Sequence, residues 1–94
     1  MALKKKIDVM ELFKNVFELI DGITSDNSVP KNIKLAVSDA KNKLTNQQEE
    51  ESLRVSQAIY YLTDISNDIN MPNHTRTELW NIISELEFVK EKIK

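Results

Sequence analysis

The chain has 94 residues and contains no cysteine, only one glycine and only two prolines. Without cysteine it has no disulfide framework, no zinc–thiolate centre and no thiol nucleophile, and its composition suits a reducing compartment. Because glycine and proline are scarce while 30% of the residues are charged, the composition favours helices. No apolar run approaches the roughly 18–20 residues of a membrane span. The sequence therefore predicts a helical cytoplasmic protein that makes no membrane contact.

The charge balance is slightly acidic, with 13 Lys and Arg residues against 15 Asp and Glu residues. A net charge of −2 disfavours broad binding to nucleic acids, which requires a basic surface. Hydrophobic residues make up 40% of the chain, enough for the core of one domain of this size. We therefore predict a single domain that spans residues 1–94.

One eight-residue pattern occurs twice in the chain. Residues 23–30 read ITSDNSVP and residues 65–72 read ISNDINMP, an offset of 42 residues. Each copy lies between two segments in which apolar residues recur every three or four positions, the spacing of one helix face. Each copy therefore predicts the turn of a helical hairpin. Hairpin one spans about residues 7–45, and hairpin two spans about residues 50–93.

The two prolines define where helices begin. Pro30 and Pro72 are predicted to open the second and fourth helices, because the fixed φ angle of proline suits a first helical turn. Ser28, or the residue before Pro30, is the predicted N-cap. The period also resembles HEAT-type helical repeats, but such solenoids need three or more repeats to bury a continuous core. Two hairpins can instead close on each other, so the predicted fold is all-α, a four-helix up-and-down bundle built from two tandem helical hairpins.

Several strings in the chain resemble a known family. They are residues 29–33 (VPKNI), 54–58 (RVSQA), 65–68 (ISND) and 71–80 (MPNHTRTELW). Over about residues 7–87 the chain is similar to uncharacterised protein family 0147, a small archaeal family. The resemblance implies a four-helix, all-α protein of the archaeal cytoplasm. It implies no activity and supplies no catalytic or binding residues.

The chemistry-bearing residues do not form a catalytic pattern. His74 is the only histidine, and with Glu78 four residues later it offers at most a metal-ligand pair, whereas an exposed first-turn position is favoured. Glu49–Glu51 lack the spacing of a calcium loop and instead suit the positive end of the third helix. Turn and cap roles explain the carboxylates near the two turns better than acid–base chemistry does: Asp21, Asp26, Asp64 and Asp68. We predict no catalytic residue, metal ligand or cofactor, and hence no enzyme.

The two Pro-marked turns suggest one candidate site. In an up-and-down bundle both turns lie at the same end, so the starts of the second and fourth helices are neighbours there. Free N–H groups and the helix dipole attract anions, such as phosphate or an RNA backbone. The candidate anion site consists of Lys31, Lys34, Asn73, His74 and Arg76. The favoured alternative is that Lys34 and Arg76 pair with Asp26 and Asp68 across their own turns.

Aromatic residues suggest a second candidate site. Trp80 and Phe88 lie off the centre of the stripe of the fourth helix, and the adjacent Tyr60 and Tyr61 point about 100° apart, so at least one of them leaves the core centre. Because aromatic residues are enriched at interfaces, Tyr60, Trp80 and Phe88 form a candidate surface for a protein partner. Packing in the core or at its boundary is the favoured alternative. We predict a non-enzymatic protein-interaction or structural module whose partner is another protein or a second copy in a homodimer. The alternative function is binding of an anion or RNA backbone at the end with the two Pro-marked turns.

The repeat also predicts which residues form the core. Ile65 and Ile82 lie on the apolar stripes of the third and fourth helices. If both are buried, replacing either residue by Ala is expected to destabilise the protein by ~2–5 kcal/mol.

Overall fold

The computed structural model describes residues 9–93 and contains four α-helices. Helix α1 spans Val9–Thr24, α2 spans Lys31–Thr45, α3 spans Glu51–Ile65 and α4 spans Asn73–Ile93. Helices α1 and α3 each pack against both α2 and α4, whereas diagonally opposed helices do not approach each other within the described residues. The predicted all-α, four-helix fold is therefore confirmed, and no strand occurs between residues 9 and 93.

The core draws on equivalent positions of both hairpins. Ile20, Val37, Ala40 and Leu44 are buried, and so are the residues that the 42-residue offset assigns to them, Leu62, Leu79, Ile82 and Leu86. The exception is Ile65, which is only partly buried although its counterpart Ile23 is fully buried. The condition for a large destabilisation by Ile→Ala is met at position 82 but not at position 65.

The first helix-opening turn differs from the predicted capping. Pro30 occupies the N-cap position of α2 with φ −58° and ψ 150°, and no side chain caps the helix. The backbone carbonyl of Pro30 accepts the N–H groups of Ile33 and Lys34, each at 3.1 Å. The predicted N-cap role of Ser28 is wrong, because its hydroxyl donates instead to the Asp26 carboxylate, 2.7 Å away.

The middle connection, between α2 and α3, is built differently. Asn46 ends α2 in an extended conformation, with φ −77° and ψ 100°. The N–H of Glu49 donates to the Asn46 carbonyl at 3.3 Å, closing a β-turn. Of the three consecutive glutamates, only Glu51 lies inside α3, because Glu50 occupies the N-cap position and Glu49 belongs to the turn. The prediction that all three lie in the first helical turn is therefore wrong for the first two.

Candidate functional site

The two Pro-marked turns meet at one end of the bundle, which we call the Pro-turn end. Nε2 of His74 lies 2.9 Å from Oδ2 of Asp26, so the start of α4 is bound to the turn of hairpin one. The amide of Asn32 donates to Oδ2 of Asp68, also at 2.9 Å, so the start of α2 is bound to the turn of hairpin two. Each contact is the counterpart of the other under the 42-residue offset. The repeated aspartates therefore join the two hairpins.

Each of these aspartates also organises its own turn. Oδ1 of Asp26 accepts the N–H of Ser28 at 2.9 Å, and Oδ1 of Asp68 accepts the N–H of Asn70 at 2.8 Å. Such side-chain-to-backbone bonds are a typical turn device of aspartate. Hydrogen bonds from His74 and from the hydroxyl and N–H of Ser28 lower the pKa of Asp26 to about 2. At neutral pH the carboxylate of Asp26 in the folded protein is therefore ionised.

The predicted pairing of Lys34 with Asp26 is wrong, and that of Arg76 with Asp68 is right in the residue but wrong in the accepting group. Lys34 forms no ion pair within residues 9–93. Arg76 does bind its own turn, but it donates to the backbone carbonyl of Asp68 at 2.8 Å rather than to the carboxylate. The physical reason is the packing of the hairpins, which brings residues of the opposite hairpin within reach of each carboxylate.

The residues of the candidate anion site are dispersed among these contacts. His74 is held by Asp26, and Arg76 is held by the second turn. Lys31 and Asn73 are exposed, Lys34 is partly buried, and no described contact joins either lysine to Asn73, His74 or Arg76. The Asp26 carboxylate contacts His74 and the Asp68 carboxylate contacts Asn32, and their negative charge opposes an incoming anion. Anion binding at this end stays a prediction.

No metal centre can be assembled from the part of the chain that the structure describes, since it contains no suitable cluster of three His, Cys, Asp or Glu side chains. The side chain of His74 contacts Asp26 and Ser28. Within residues 9–93, no helix combines the length and hydrophobicity that crossing a membrane requires.

A groove of about 720 Å³ lies away from the Pro-turn end, and we call it the Phe groove. Its apolar lining comes from Phe13 and Phe17 of α1, whose rings stack with centroids 6.2 Å apart, together with Met10 and Leu44. The end of α2 and the start of α3 complete the wall. Both phenylalanines belong to the apolar pattern of α1, and that pattern alone does not distinguish a groove from the core. The sequence does contain a signal for this groove. Phe13 and Phe17 are four residues apart, and together with Met10, which is exposed, they make the apolar stripe of α1 wider than the core requires.

The rim of the Phe groove is mainly acidic. Four carboxylates line it, against two basic side chains, Lys14 and Arg54; the four are Glu11, Glu18, Asp21 and Glu51. Nη1 of Arg54 donates to the carbonyl of Leu44 at 2.8 Å, while its buried Nε has no hydrogen-bond partner. At the groove edge, Nζ of Lys41 lies 5.6 Å from the centroid of the Phe17 ring and 3.4 Å from Asp21.

The three aromatic residues of the candidate partner surface are exposed: Tyr60 by 69%, Trp80 by 48% and Phe88 by 41%. None of the three is therefore packed inside the core, and the partial burial of Trp80 and Phe88 is that of boundary positions, which the favoured alternative includes. They do not share one described depression, because Tyr60 lies beside Ser56 and Gln57 whereas Phe88 lies beside Ser84. Binding of a partner to these residues stays a prediction.

The similarity of this chain to known proteins shows which family it belongs to. A model of the Uncharacterised protein family (UPF0147) matches residues 2–89. The chain belongs to this family. A UPF0147 protein of Methanocaldococcus jannaschii is 48% identical over 80 residues, which cover 85% of this chain and 86% of that protein. A second UPF0147 protein, from Methanosarcina acetivorans, is 44% identical over 82 residues, which cover 87% and 84% of the two chains. The family resemblance predicted from the sequence is confirmed.

Solved structures of UPF0147 type support the same architecture. The crystal structure of a protein of unknown function, MMP1188, has a TM-score of 0.84 and 46% identity, covering 89% of this chain and 96% of that one. The crystal structure of a UPF0147 protein from Thermoplasma acidophilum has a TM-score of 0.83 and 38% identity, covering 88% and 99%. UPF0147 is an uncharacterised family, so this kinship shows the fold and leaves the function unknown.

Proposed function

We propose that the protein is a non-enzymatic interaction module of the cytoplasm that binds an amphipathic helix of a partner protein in the Phe groove. The observation that carries this proposal is the combination of stacked Phe13 and Phe17 rings with an acidic rim. Grooves that bind helices provide an apolar floor for residues spaced by three or four positions. A cysteine-free composition suits a reducing cytoplasm.

The rim identifies the chemistry of the partner helix. Four carboxylates against Lys14, Arg54 and Lys41 at the groove edge leave a small net negative charge, and Asp21 is paired with Lys41. Charge complementarity therefore selects a helix with leucine-like residues on one face and lysine or arginine beside that face. Rim charges act mainly on the association rate and on its dependence on salt. No catalytic residue is part of the proposal, since binding needs only this surface.

A model peptide tests the proposal directly. A fluorescein-labelled peptide of about 15 residues, roughly four helical turns of leucine and lysine with one apolar stripe, is titrated with the full chain and followed by anisotropy. A scrambled peptide of the same composition is the control for non-specific charge attraction. We expect binding of the striped peptide only, and its affinity is expected to fall as salt rises. Equal binding of both peptides would falsify the proposal.

Matched variants locate the binding surface. Reversing two exposed rim charges, Glu11→Lys with Glu18→Lys, is expected to lower the affinity for the striped peptide about tenfold. The control is Asp39→Lys, an exposed charge reversal on α2 that does not line the groove. Unchanged affinity in the double variant would exclude the Phe groove. Light scattering on the same samples measures the oligomeric state. If the wild type is a dimer and the two rim changes make it a monomer, the occupant of the groove is a second copy of this chain and not a partner helix.

The alternative function, binding of an anion or RNA backbone at the Pro-turn end, has its own test. Lys34→Ala with Arg76→Ala is expected to abolish salt-dependent binding of a labelled RNA if this end is the site. A wild-type protein that binds no RNA at low salt removes this alternative.

A further inference from the structure

The middle connection of the chain lacks the residues that usually stop helices. Between Pro30 and Pro72 there is neither glycine nor proline. Residues 46–50, which join α2 to α3, read NQQEE, and glutamine and glutamate are good helix formers. The other two turns, by contrast, each end in a proline that cannot lie inside a helix without breaking it. Only the middle connection can therefore become helical.

The buried faces of α2 and α3 are in phase with each other. Val37 and Val55, Ala40 and Ala58, and Leu44 and Leu62 are each 18 residues apart, and all six are buried. Eighteen residues are about five full turns at 3.6 residues per turn. A single helix over residues 31–65 would therefore carry both apolar stripes on one face, separated by the polar residues 45–52. With the middle connection closed, the two helices do not need to share this phase, because the turn allows each helix to rotate about its own axis independently of the other.

Few contacts hold the middle connection closed, and a continuous helix replaces most of them. Oδ1 of Asn46 accepts the N–H of Gln48 at 3.1 Å, and Arg54 donates to the Leu44 carbonyl. In a continuous helix that N–H would reach the Leu44 carbonyl instead. Arg54 would then be free to pair with Glu50, four residues earlier, the favourable order for a helical ion pair.

The contacts between the hairpins do not depend on this connection. Asp26 with His74, and Asn32 with Asp68, join the hairpins at the opposite end of the bundle. A hairpin one and a hairpin two from different chains satisfy them equally well. Exchange of identical elements between copies is a low-cost route to a dimer when the hinge can open.

We propose that two copies of this chain exchange hairpins, with residues 31–65 of each copy forming one continuous helix. Hairpin one of each copy then packs against hairpin two of the other, and the Pro-turn contacts form between chains. The partner is a second copy of this chain. The proposal does not rest on peptide binding in the Phe groove.

The experiment compares refolding at two protein concentrations. The full chain is unfolded in denaturant, refolded at micromolar and at roughly millimolar concentration, and analysed by size-exclusion chromatography with light scattering. We expect monomer from the dilute sample and a dimer fraction from the concentrated one, because exchange is bimolecular. The proposal is overturned if both samples contain only monomer, for the wild type and also for the variant Asn46→Ala, which favours a continuous helix.

Two neighbouring substitutions act in opposite directions. Asn46→Ala removes the bond to Gln48 and raises helix propensity, so the dimer fraction is expected to rise several-fold. Gln47→Pro is the matched block: it sits at the second position of the Asn46–Glu49 turn, where proline is favoured, and it follows an extended residue. Proline there breaks a continuous helix, so the dimer is expected to be lost while the monomer still folds. A dimer that persists in Gln47→Pro overturns the proposal.

Spin labels show whether the connection is open. Cysteines for labelling replace the exposed residues Asp39 and Thr63, and the chain has no other cysteine. Labelled chains are refolded with an excess of unlabelled ones, so only distances within one chain are measured. A continuous helix separates the two backbones by about 36 Å, against less than about 25 Å for adjacent antiparallel helices. A dimer with the shorter distance is a surface dimer and contradicts the exchange.

Discussion

The two ends of the bundle are joined by different kinds of contact. At the Pro-turn end, Asp26 and Asp68 each bind a residue of the opposite hairpin as well as their own turn. At the other end, the side chain of Asn46 bonds only within its own connection, and Arg54 donates to a carbonyl in the last turn of α2. Both ends thus contain contacts between the hairpins: the Pro-turn end has two between side chains, whereas the other end has one from Arg54 to a backbone carbonyl, beside local turn bonds.

Buried apolar residues form the core beneath both ends of the bundle. The largest expected loss of stability tests whether the two ends are equally well packed. Ile23→Ala next to the first Pro-marked turn and Leu44→Ala next to the middle connection remove the last apolar residue of α1 and of α2. The two side chains are 0% and 2% exposed. Each variant is expected to lose ~2–5 kcal/mol in the free energy of unfolding, measured by urea denaturation. A cost below about half a kcal/mol for Leu44→Ala alone would show that the groove end has no tight core.

The turn aspartate and the connecting asparagine provide the next comparison. Asp68→Ala removes the bond from Asn70 and the bond from Asn32, and we expect a loss of ~1–2 kcal/mol. Asn46→Ala removes one exposed bond and is expected to lose about 0.5–1 kcal/mol in the monomer. Chemical denaturation of dilute samples measures both values. Equal costs would mean that the contact between hairpins adds no stability at the Pro-turn end.

One buried position distinguishes the two hairpins at the Pro-turn end. Thr75 is 0% exposed and its hydroxyl has no hydrogen-bond partner, whereas its counterpart under the 42-residue offset is the buried Ile33. Thr75→Val removes an unsatisfied polar group and is expected to stabilise the protein by about 1 kcal/mol, seen as a higher melting temperature. The control Thr77→Val changes an exposed residue of the same helix and is expected to stabilise nothing.

The smallest expected effect is the response of the Pro-turn end to acid. The pKa of Asp26 is lowered to about 2 in the folded protein, below the value of about 3.9 for an unfolded aspartate. The stability that Asp26 contributes is therefore fully present above about pH 4 and is lost as the pH falls through about 2. NMR titration of the Asp26 carboxyl carbon measures the pKa.

Variants on the two sides of the repeat separate the causes of this shift. His74→Ala removes the largest cause and is expected to raise the pKa of Asp26. Asn32→Ala, at the equivalent position of the other hairpin, is the control and is expected to leave it unchanged. A midpoint near 3.9 in the wild type would contradict the contact between the hairpins.

Most of the fold follows from the sequence because the apolar spacing and the repeated turn act locally. The recurrence of Pro30 at Pro72 predicts two hairpins, and two hairpins that close on each other predict the observed bundle. Family 0147 is recognisable from short strings such as residues 71–80. The partial burial of Ile65 was not predictable, since the spacing of apolar residues does not indicate how deeply each residue of a stripe is covered.

The sites were harder to predict because they depend on which elements meet. The sequence identifies Asp26 and Asp68 as turn residues, but their partners come from the other hairpin, about 36–48 positions away. Lys34 is nearer to Asp26 along the chain, and proximity in sequence favoured this wrong pairing. The Phe groove likewise arises from α1, the end of α2 and the start of α3 together, so no single stretch of sequence marks it.

The crossed contacts at the Pro-turn end also bear on how the protein folds. Because Asp26 contacts His74 and Asp68 contacts Asn32 only after docking, the aspartate of an isolated hairpin keeps its local turn bond but lacks the bond to the other hairpin. The two turns should consequently become protected in one kinetic step rather than in sequence. Their backbone amides are then expected to exchange hydrogen through a shared opening that couples residues at both turns into one cooperative unit.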